Sequence, residues 1–179
     1  VVERERERMA FVAASWWDLV GTFFPAGDPA AEFQARLVAL DASTGAPATG
    51  FGRNGVVDIG VPWNGVPTIY RNIAILGATT GEVALGVPGD TRAFDIRTGK
   101  HLWDFHTVPL PGEPGHDTWL DHGWRNRSGV NVWAWYMTLD EERGILYMPV
   151  AGPAGNYWGG DRPGNNLFAN SIVAVNAET

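Results

Sequence analysis

The chain of 179 residues has no cysteine, which removes disulfides, thiolate zinc sites and cysteine nucleophiles together and leaves the redox compartment open. Basic residues are also scarce. Thirteen Lys and Arg against twenty Asp and Glu give a net charge of −7, and no basic cluster exists beyond the alternating run Glu3–Arg8, so nucleic acid and acidic membranes are poor partners. Long apolar runs are missing too. Met9–Phe24 is the nearest approach, but Asp18 interrupts it and it falls short of the roughly 18 residues a span requires; no small-residue cleavage site follows. It reads as strand and loop. No phosphate-binding Gly-x-x-x-x-Gly-Lys, Gly-x-Ser-x-Gly elbow or His-Glu-x-x-His helix is present, which sets aside nucleotide, serine-hydrolase and zincin chemistry.

What the chain does have is 23 Gly, 12 Pro and nine Trp with few helix-favouring runs, a composition of short strands and many turns, and hence an all-β class. One frame recurs. Ala39-Leu40-Asp41-Ala42-Ser43-Thr44-Gly45 returns as Ala93-Phe94-Asp95-Ile96-Arg97-Thr98-Gly99, completed by Trp103, and again as Ala174-Val175-Asn176-Ala177-Glu178-Thr179. Its physical meaning is a hairpin: the Asp or Asn oxygen caps the turn, the Gly supplies a positive φ, and the Trp lies on the outgoing strand, free to pack between sheets. The copies start 54 and 81 residues apart, which suits four-stranded blades of about 40 to 50 residues carrying insertions.

Arg36–Asp41, Thr68–Gly77, Val132–Leu139, Ile145–Val150 and the segment from Ser171 read as strands, and Pro109–Gly129 as a long functional or capping loop. The expected organisation is an N-terminal strand/loop segment, residues 1–34, followed by a partial β-propeller, residues 35–179. About three blades are legible where closure needs at least about four. The expectation is therefore a piece of a longer polypeptide, with the remainder of the propeller as its first partner.

The frame with its Trp resembles the tryptophan-docking motif of the pyrroloquinoline quinone (PQQ)-dependent dehydrogenases. Further stretches strengthen the likeness: Phe51–Asp58, Gly77–Glu82, Asn131–Trp135 and Tyr157–Leu167, the last being more similar to the glucose-dehydrogenase-like branch than to methanol dehydrogenase. The resemblance covers residues 35–179 and implies part of an eight-bladed propeller that oxidises an alcohol or aldose sugar and passes electrons to ubiquinone or cytochrome c. It also implies a periplasmic location.

Carried over residue by residue, the resemblance makes Glu82 the Ca²⁺ ligand of a Gly-x-Ser-x-x-Glu-like segment, a hard cation wanting carboxylate oxygen. Thr79 falls on the Ser that donates to the quinone, with Thr80 beside it. Trp133 falls on the indole that stacks on the cofactor, and Asn64 on a Thr that contacts it. On residue types alone, Glu82 reads as an exposed loop carboxylate, and Trp133 with Trp135 as filling between blades. One departure stands out. Where relatives present Asn, Thr or Ser to Ca²⁺, this chain has Gly152, leaving only a carbonyl unless Asn156 completes the site. The family's proton-accepting Asp, in a His-x-x-Trp-Asp segment, is expected beyond Thr179, so no catalytic base is assigned and the segment by itself is expected to be inactive. His116-Asp117 with Asp121-His122 reads as loop chemistry. Asp161 and Arg162 read as a structural pair ahead of a substrate contact. The alternative to a dehydrogenase is a non-catalytic propeller scaffold that binds proteins.

Overall fold

A computed structural model describes residues 9–14, 35–63, 65–81, 83–133, 136–155 and 157–179. It is all-β among these residues apart from one turn of 3-10 helix at His116–Thr118. The strands are β1 (Met9–Ala14), β2 (Arg36–Asp41), β3 (Val56–Asp58), β4 (Thr68–Tyr70), β5 (Ile73–Leu76), β6 (Thr91–Asp95), β7 (His101–Phe105), β8 (Thr138–Asp140), β9 (Ile145–Val150) and β10 (Ser171–Asn176). They form three antiparallel sheets in sequence order, β1-β2-β3, β4-β5-β6-β7 and β8-β9-β10. These are successive blades of a propeller, the middle one with its full four strands.

The blades stack through two apolar layers that share the middle sheet. Leu37 and Ala39 of β2 meet Ala74 and Leu76 of β5 and Phe94 of β6 in the first layer, with Phe51 and Trp63 beside them. Ile75, Ala93, Tyr70 and Trp103 meet Leu146, Met148 and Val150 of β9 in the second. Because a strand turns alternate side chains to opposite faces, β5 must be apolar throughout to serve both layers, as Ile-Ala-Ile-Leu is. In contrast, β9 serves one layer: Leu146, Met148 and Val150 are buried while Tyr147 is exposed. Trp103 packs between sheets as its place in the frame implies.

The frame turns are near copies of one another. Asp41 Oδ1 accepts the Ser43 and Thr44 amides at 3.0 and 2.9 Å, and Gly45 follows at φ +70°. Asp95 Oδ1 accepts the Arg97 and Thr98 amides at 3.1 and 2.8 Å, and Gly99 follows at φ +73°. In the third copy, Asn176 Oδ1 accepts the Glu178 amide at 2.8 Å. Each later turn also touches the preceding blade: the Gly52 amide donates to the Thr98 carbonyl at 2.8 Å, and Glu178 pairs with Arg71 in the β4–β5 turn.

Two strand expectations are corrected. Thr68–Gly77 is a hairpin rather than one strand, because Arg71 adopts φ +50° and reverses the chain into β5. Val132–Leu139 is strand only from Thr138. Upstream, Val132 makes a single bridge to Val150, and the Tyr136 amide bonds back to the Trp133 carbonyl at 3.5 Å, turning the chain away. No helix among the described residues is long and apolar enough to cross a membrane.

Candidate functional site

Beyond the end of β5 the chain leaves the sheet and builds one wall of a cavity of about 170 Å³. The lining comes from three separate segments and one outlying residue: Thr80 and Gly81, then Gly129, Asn131 and Trp133, then Ala151–Ala154, and finally Asn170. Backbone bonds hold the segments side by side. Val130 donates to the Gly152 carbonyl at 2.9 Å, Ala151 to the Asn131 carbonyl at 2.9 Å, and Ala154 to the Ser128 carbonyl at 3.0 Å. Two glycines permit the closeness. A Cβ on Gly129, at φ +79°, would run into the Ala154 backbone nitrogen, and one on Gly77 into the Val132 carbonyl.

Asn131 ties the first segment to the second. It is buried, and its Oδ1 accepts both the Thr80 amide at 3.0 Å and the Thr80 hydroxyl at 2.9 Å, while its Nδ2 donates to the Thr80 carbonyl at 3.3 Å. The Thr80 hydroxyl in turn accepts from the Gly129 amide at 3.0 Å. Thr80 is thus fixed at amide, hydroxyl and carbonyl together.

Of the residues singled out in the sequence, Thr80, Trp133 and Gly152 meet at this cavity. Thr79 is adjacent but not among its lining residues: its amide donates to the Pro62 carbonyl at 2.7 Å. Asn64, Glu82 and Asn156 lie outside the described residues. The Gly152 carbonyl accepts the Val130 amide at 2.9 Å through one of its two lone pairs. Asn131 and Asn170 were not singled out. Asn131 opens the Asn-Val-Trp-Ala-Trp stretch, two residues from the Trp that drew notice; Asn170 carries no motif, and only its φ of +52° distinguishes it.

The lining offers carboxamides, a hydroxyl, an indole and backbone groups, and no titratable side chain among the described residues. Such a wall can stack on and hydrogen-bond a flat, oxygen-rich molecule. Among the described residues it has no group to exchange a proton with one. Its volume is below the roughly 300 Å³ at which pockets for whole drug-sized ligands begin, so it suits one edge of such a molecule.

Among the described residues, the charged groups lie around the cavity rather than in it. Asp161 pairs with Arg127 at 2.8 Å, not with its neighbour Arg162, whose Nη1 donates to Asn166 Oδ1 at 3.0 Å. Arg127 wins because it is buried and also donates to the Gly123 and Asp161 carbonyls, at 2.9 and 3.3 Å, in the planar fork that guanidinium provides. The pair anchors the loop after Trp158 to the cavity segment at Ser128. The His116 ring is bonded to the Pro109 carbonyl at 2.8 Å and packs edge-on against Trp124, and no group of three potential metal ligands occurs among the described residues. Asp90 is buried, and burial pushes its carboxyl up against the opposing Thr107 amide. For Glu113, burial acts in the same direction but is outweighed by the Leu110 amide and His106, so its carboxyl sits below the ordinary range.

Stacked antiparallel blades, the middle one four-stranded, with a polar cavity beside the strand ends define the class as a β-propeller. The family model described as PQQ, glucose/ethanol/alcohol dehydrogenase, beta-propeller domain, matches residues 30–179, and the chain belongs to this family. It is 33% identical over 159 residues to quinoprotein glucose dehydrogenase A of Acinetobacter calcoaceticus, covering 80% of this chain and 19% of that protein. It is 33% identical over 156 residues to quinohemoprotein alcohol dehydrogenase ADH-IIG of Pseudomonas putida, covering 80% and 21%. The solved structure of ADHIIG from Pseudomonas putida HK5 superimposes with a TM-score of 0.68 at 31% identity, over 82% of this chain and 23% of that one. The chain therefore spans about a fifth of the length of these relatives.

Proposed function

We propose that this segment forms part of the PQQ-binding wall of a periplasmic oxidoreductase that oxidises an alcohol or an aldose and hands the electrons to ubiquinone or cytochrome c. The observation that carries the reading is the meeting of Thr80, Trp133 and Gly152, up to 72 residues apart in sequence, on one cavity of edge-of-cofactor size. Trp133 offers the indole face for stacking, and offset stacking on a flat ring system also excludes water. Thr80, locked by Asn131, keeps the wall in register, and Thr79 beside it is the hydroxyl for the cofactor's rim. Glu82, two residues on, is the carboxylate for Ca²⁺, with Asn64 and Asn156 as further contacts. When bound, the quinone would supply an electrophilic carbonyl, the chemistry for taking a hydride equivalent from a carbinol carbon.

The segment's own contribution is to bind, orient and desolvate. No titratable side chain lines the cavity among the described residues, which supports a reading in which the base that takes the hydroxyl proton is supplied from outside this wall.

The full-length protein, reconstituted with PQQ and Ca²⁺, is expected to reduce an artificial acceptor with an alcohol or an aldose. PQQ is also expected to quench tryptophan fluorescence, with much of the quenching lost in Trp133→Ala. No turnover with either substrate class, together with quenching that Trp133→Ala leaves unchanged, overturns the reading in favour of a binding scaffold.

A further inference from the structure

One backbone step on the cavity wall runs against its residue type. Val130 has φ +54°, in the left-handed region, although it is β-branched and fully buried. Among the described residues, the other non-glycine residues at positive φ are Asn, Asp, His and Arg, all with polar side chains. A branched Cβ crowds its own backbone in that region, so such a step persists only where its surroundings over-determine it.

Two sets of contacts surround it. In the backbone, the Val130 amide donates to the Gly152 carbonyl at 2.9 Å, the Gly129 amide to the Thr80 hydroxyl at 3.0 Å, and the Ala151 amide to the Asn131 carbonyl at 2.9 Å. The Val130 side chain belongs to the apolar layer between the second and third blades, with Leu146, Met148 and Trp119. Val132 belongs to the same layer, whereas Gly129, Asn131 and Trp133 line the cavity. Alternate residues of the strip 129–133 therefore serve hydrocarbon and cavity, and the left-handed step lies between the first two that line the cavity.

We infer that Val130 is a positioning residue of the cavity wall: its buried isopropyl group pins the left-handed step to the apolar layer and so keeps Asn131 and Trp133 on the cavity. A glycine at 130 would adopt the same φ without crowding, but nothing would tie the step to the blades. Valine is strained locally and fixes the strip. If the apolar anchor were incidental, the unstrained glycine would hold the strip as well or better. The effect on cofactor affinity rests on the proposed quinoprotein site; the effect on the wall itself does not.

The test uses the full-length protein, with amide hydrogen exchange measured before PQQ is added and PQQ affinity measured separately by tryptophan quenching. Val130→Gly is expected to speed exchange at the Thr80, Gly129 and Ala151 amides more than at those of β5. It is also expected to weaken PQQ about tenfold, the loss that follows when the competent arrangement is populated about one time in ten. Val130→Thr keeps the branched shape and buries a hydroxyl, so it is expected to lower the denaturant midpoint yet keep the wall's exchange pattern and most of the PQQ affinity. A merely structural role would make affinity follow stability in both variants. Should the glycine variant not fold, Val130→Ala, which shortens the anchor, is expected to show the same selective loosening to a smaller degree. A folded glycine or alanine variant whose wall exchanges no faster than native relative to β5, or a threonine variant loosened as much as the glycine one, overturns this inference; if native protein binds PQQ, the proposed function then stands. A selectively loosened wall in a protein whose native form shows no PQQ quenching overturns the proposed function and leaves the positioning role of Val130 in place.

Discussion

The middle sheet and the cavity wall lie within a few residues of each other along the chain, yet they are held by different forces. In β4–β7 the strands are fixed by apolar layers on both faces, so that Leu76 belongs to one layer and Ile75 to the other. Just past Leu76 the chain has almost no apolar anchor of its own kind. Thr80 is positioned by an amide, a hydroxyl and a carbonyl that all end on the side chain of Asn131. Apolar layers accept other hydrocarbon of similar volume, whereas a buried donor accepts only an acceptor. The sheets should therefore tolerate conservative change that the wall does not, and stability and cofactor affinity should separate accordingly.

The largest effect falls in the apolar layers. Leu146→Ala removes a fully buried side chain between the second and third blades and is expected to cost about 2–5 kcal/mol, read from the denaturant midpoint of the full-length protein. Where that variant is still folded, PQQ affinity should be close to native; a selective loss of affinity would erase the distinction between layer and wall. Next comes Asn131→Ala, which strands the buried Thr80 amide and should cost about 1–3 kcal/mol, with PQQ quenching weakened further than the stability loss explains. Asn131→Asp keeps the acceptor oxygen for the Thr80 amide but puts a carboxylate oxygen where a donor faced the Thr80 carbonyl, so it should recover only part of the loss. If Asn131→Ala lowers stability and leaves quenching untouched, the wall is packing like the rest.

The smallest effect is electrostatic and far from the cavity. The Ser43 hydroxyl and the Thr44 amide lead the set of groups that hold Asp41 down to about 2 from 3.8. A depressed carboxyl stabilises the native state above its unfolded value and loses that contribution as pH falls toward its native one. Asp41→Asn, which retains the turn's acceptor, is therefore expected to flatten the acid limb of the stability profile between about pH 4 and pH 2. Because Asp41 is exposed, the change should be small; an unaltered limb would mean that the turn's charge does not contribute.

The same division explains what could be read in advance. The frame turns, β2, β9 and β10, and the Trp103 packing were legible because alternation and Asp-x-x-Thr-Gly turns are local and periodic. The split of Thr68–Gly77 was not, since β5 is apolar on both faces and the reversal rests on Arg71, a residue type with no turn signature. Within the site, Thr80, Trp133 and Gly152 were found through resemblance. Asn131 and Asn170 escaped because their places on the cavity depend on neighbours 51 and 18 residues away, at Thr80 and Gly152, and no spacing along the chain records such a meeting. The pairing of Asp161 escaped for the same reason: its neighbour in sequence was not its neighbour in space.

The turn of the repeated frame has a further consequence where Gly99 meets Gly52. A Cβ on Gly99 would press on the Val57 side chain and come within 2.9 Å of the Gly52 nitrogen. What looks like a device for reversing one hairpin is also a spacer, and the gauge it sets is the thickness of two backbones with nothing between them. In a ring assembled blade by blade, an added methyl at that seam would tilt every later blade, and the misfit would accumulate where the last must join the first.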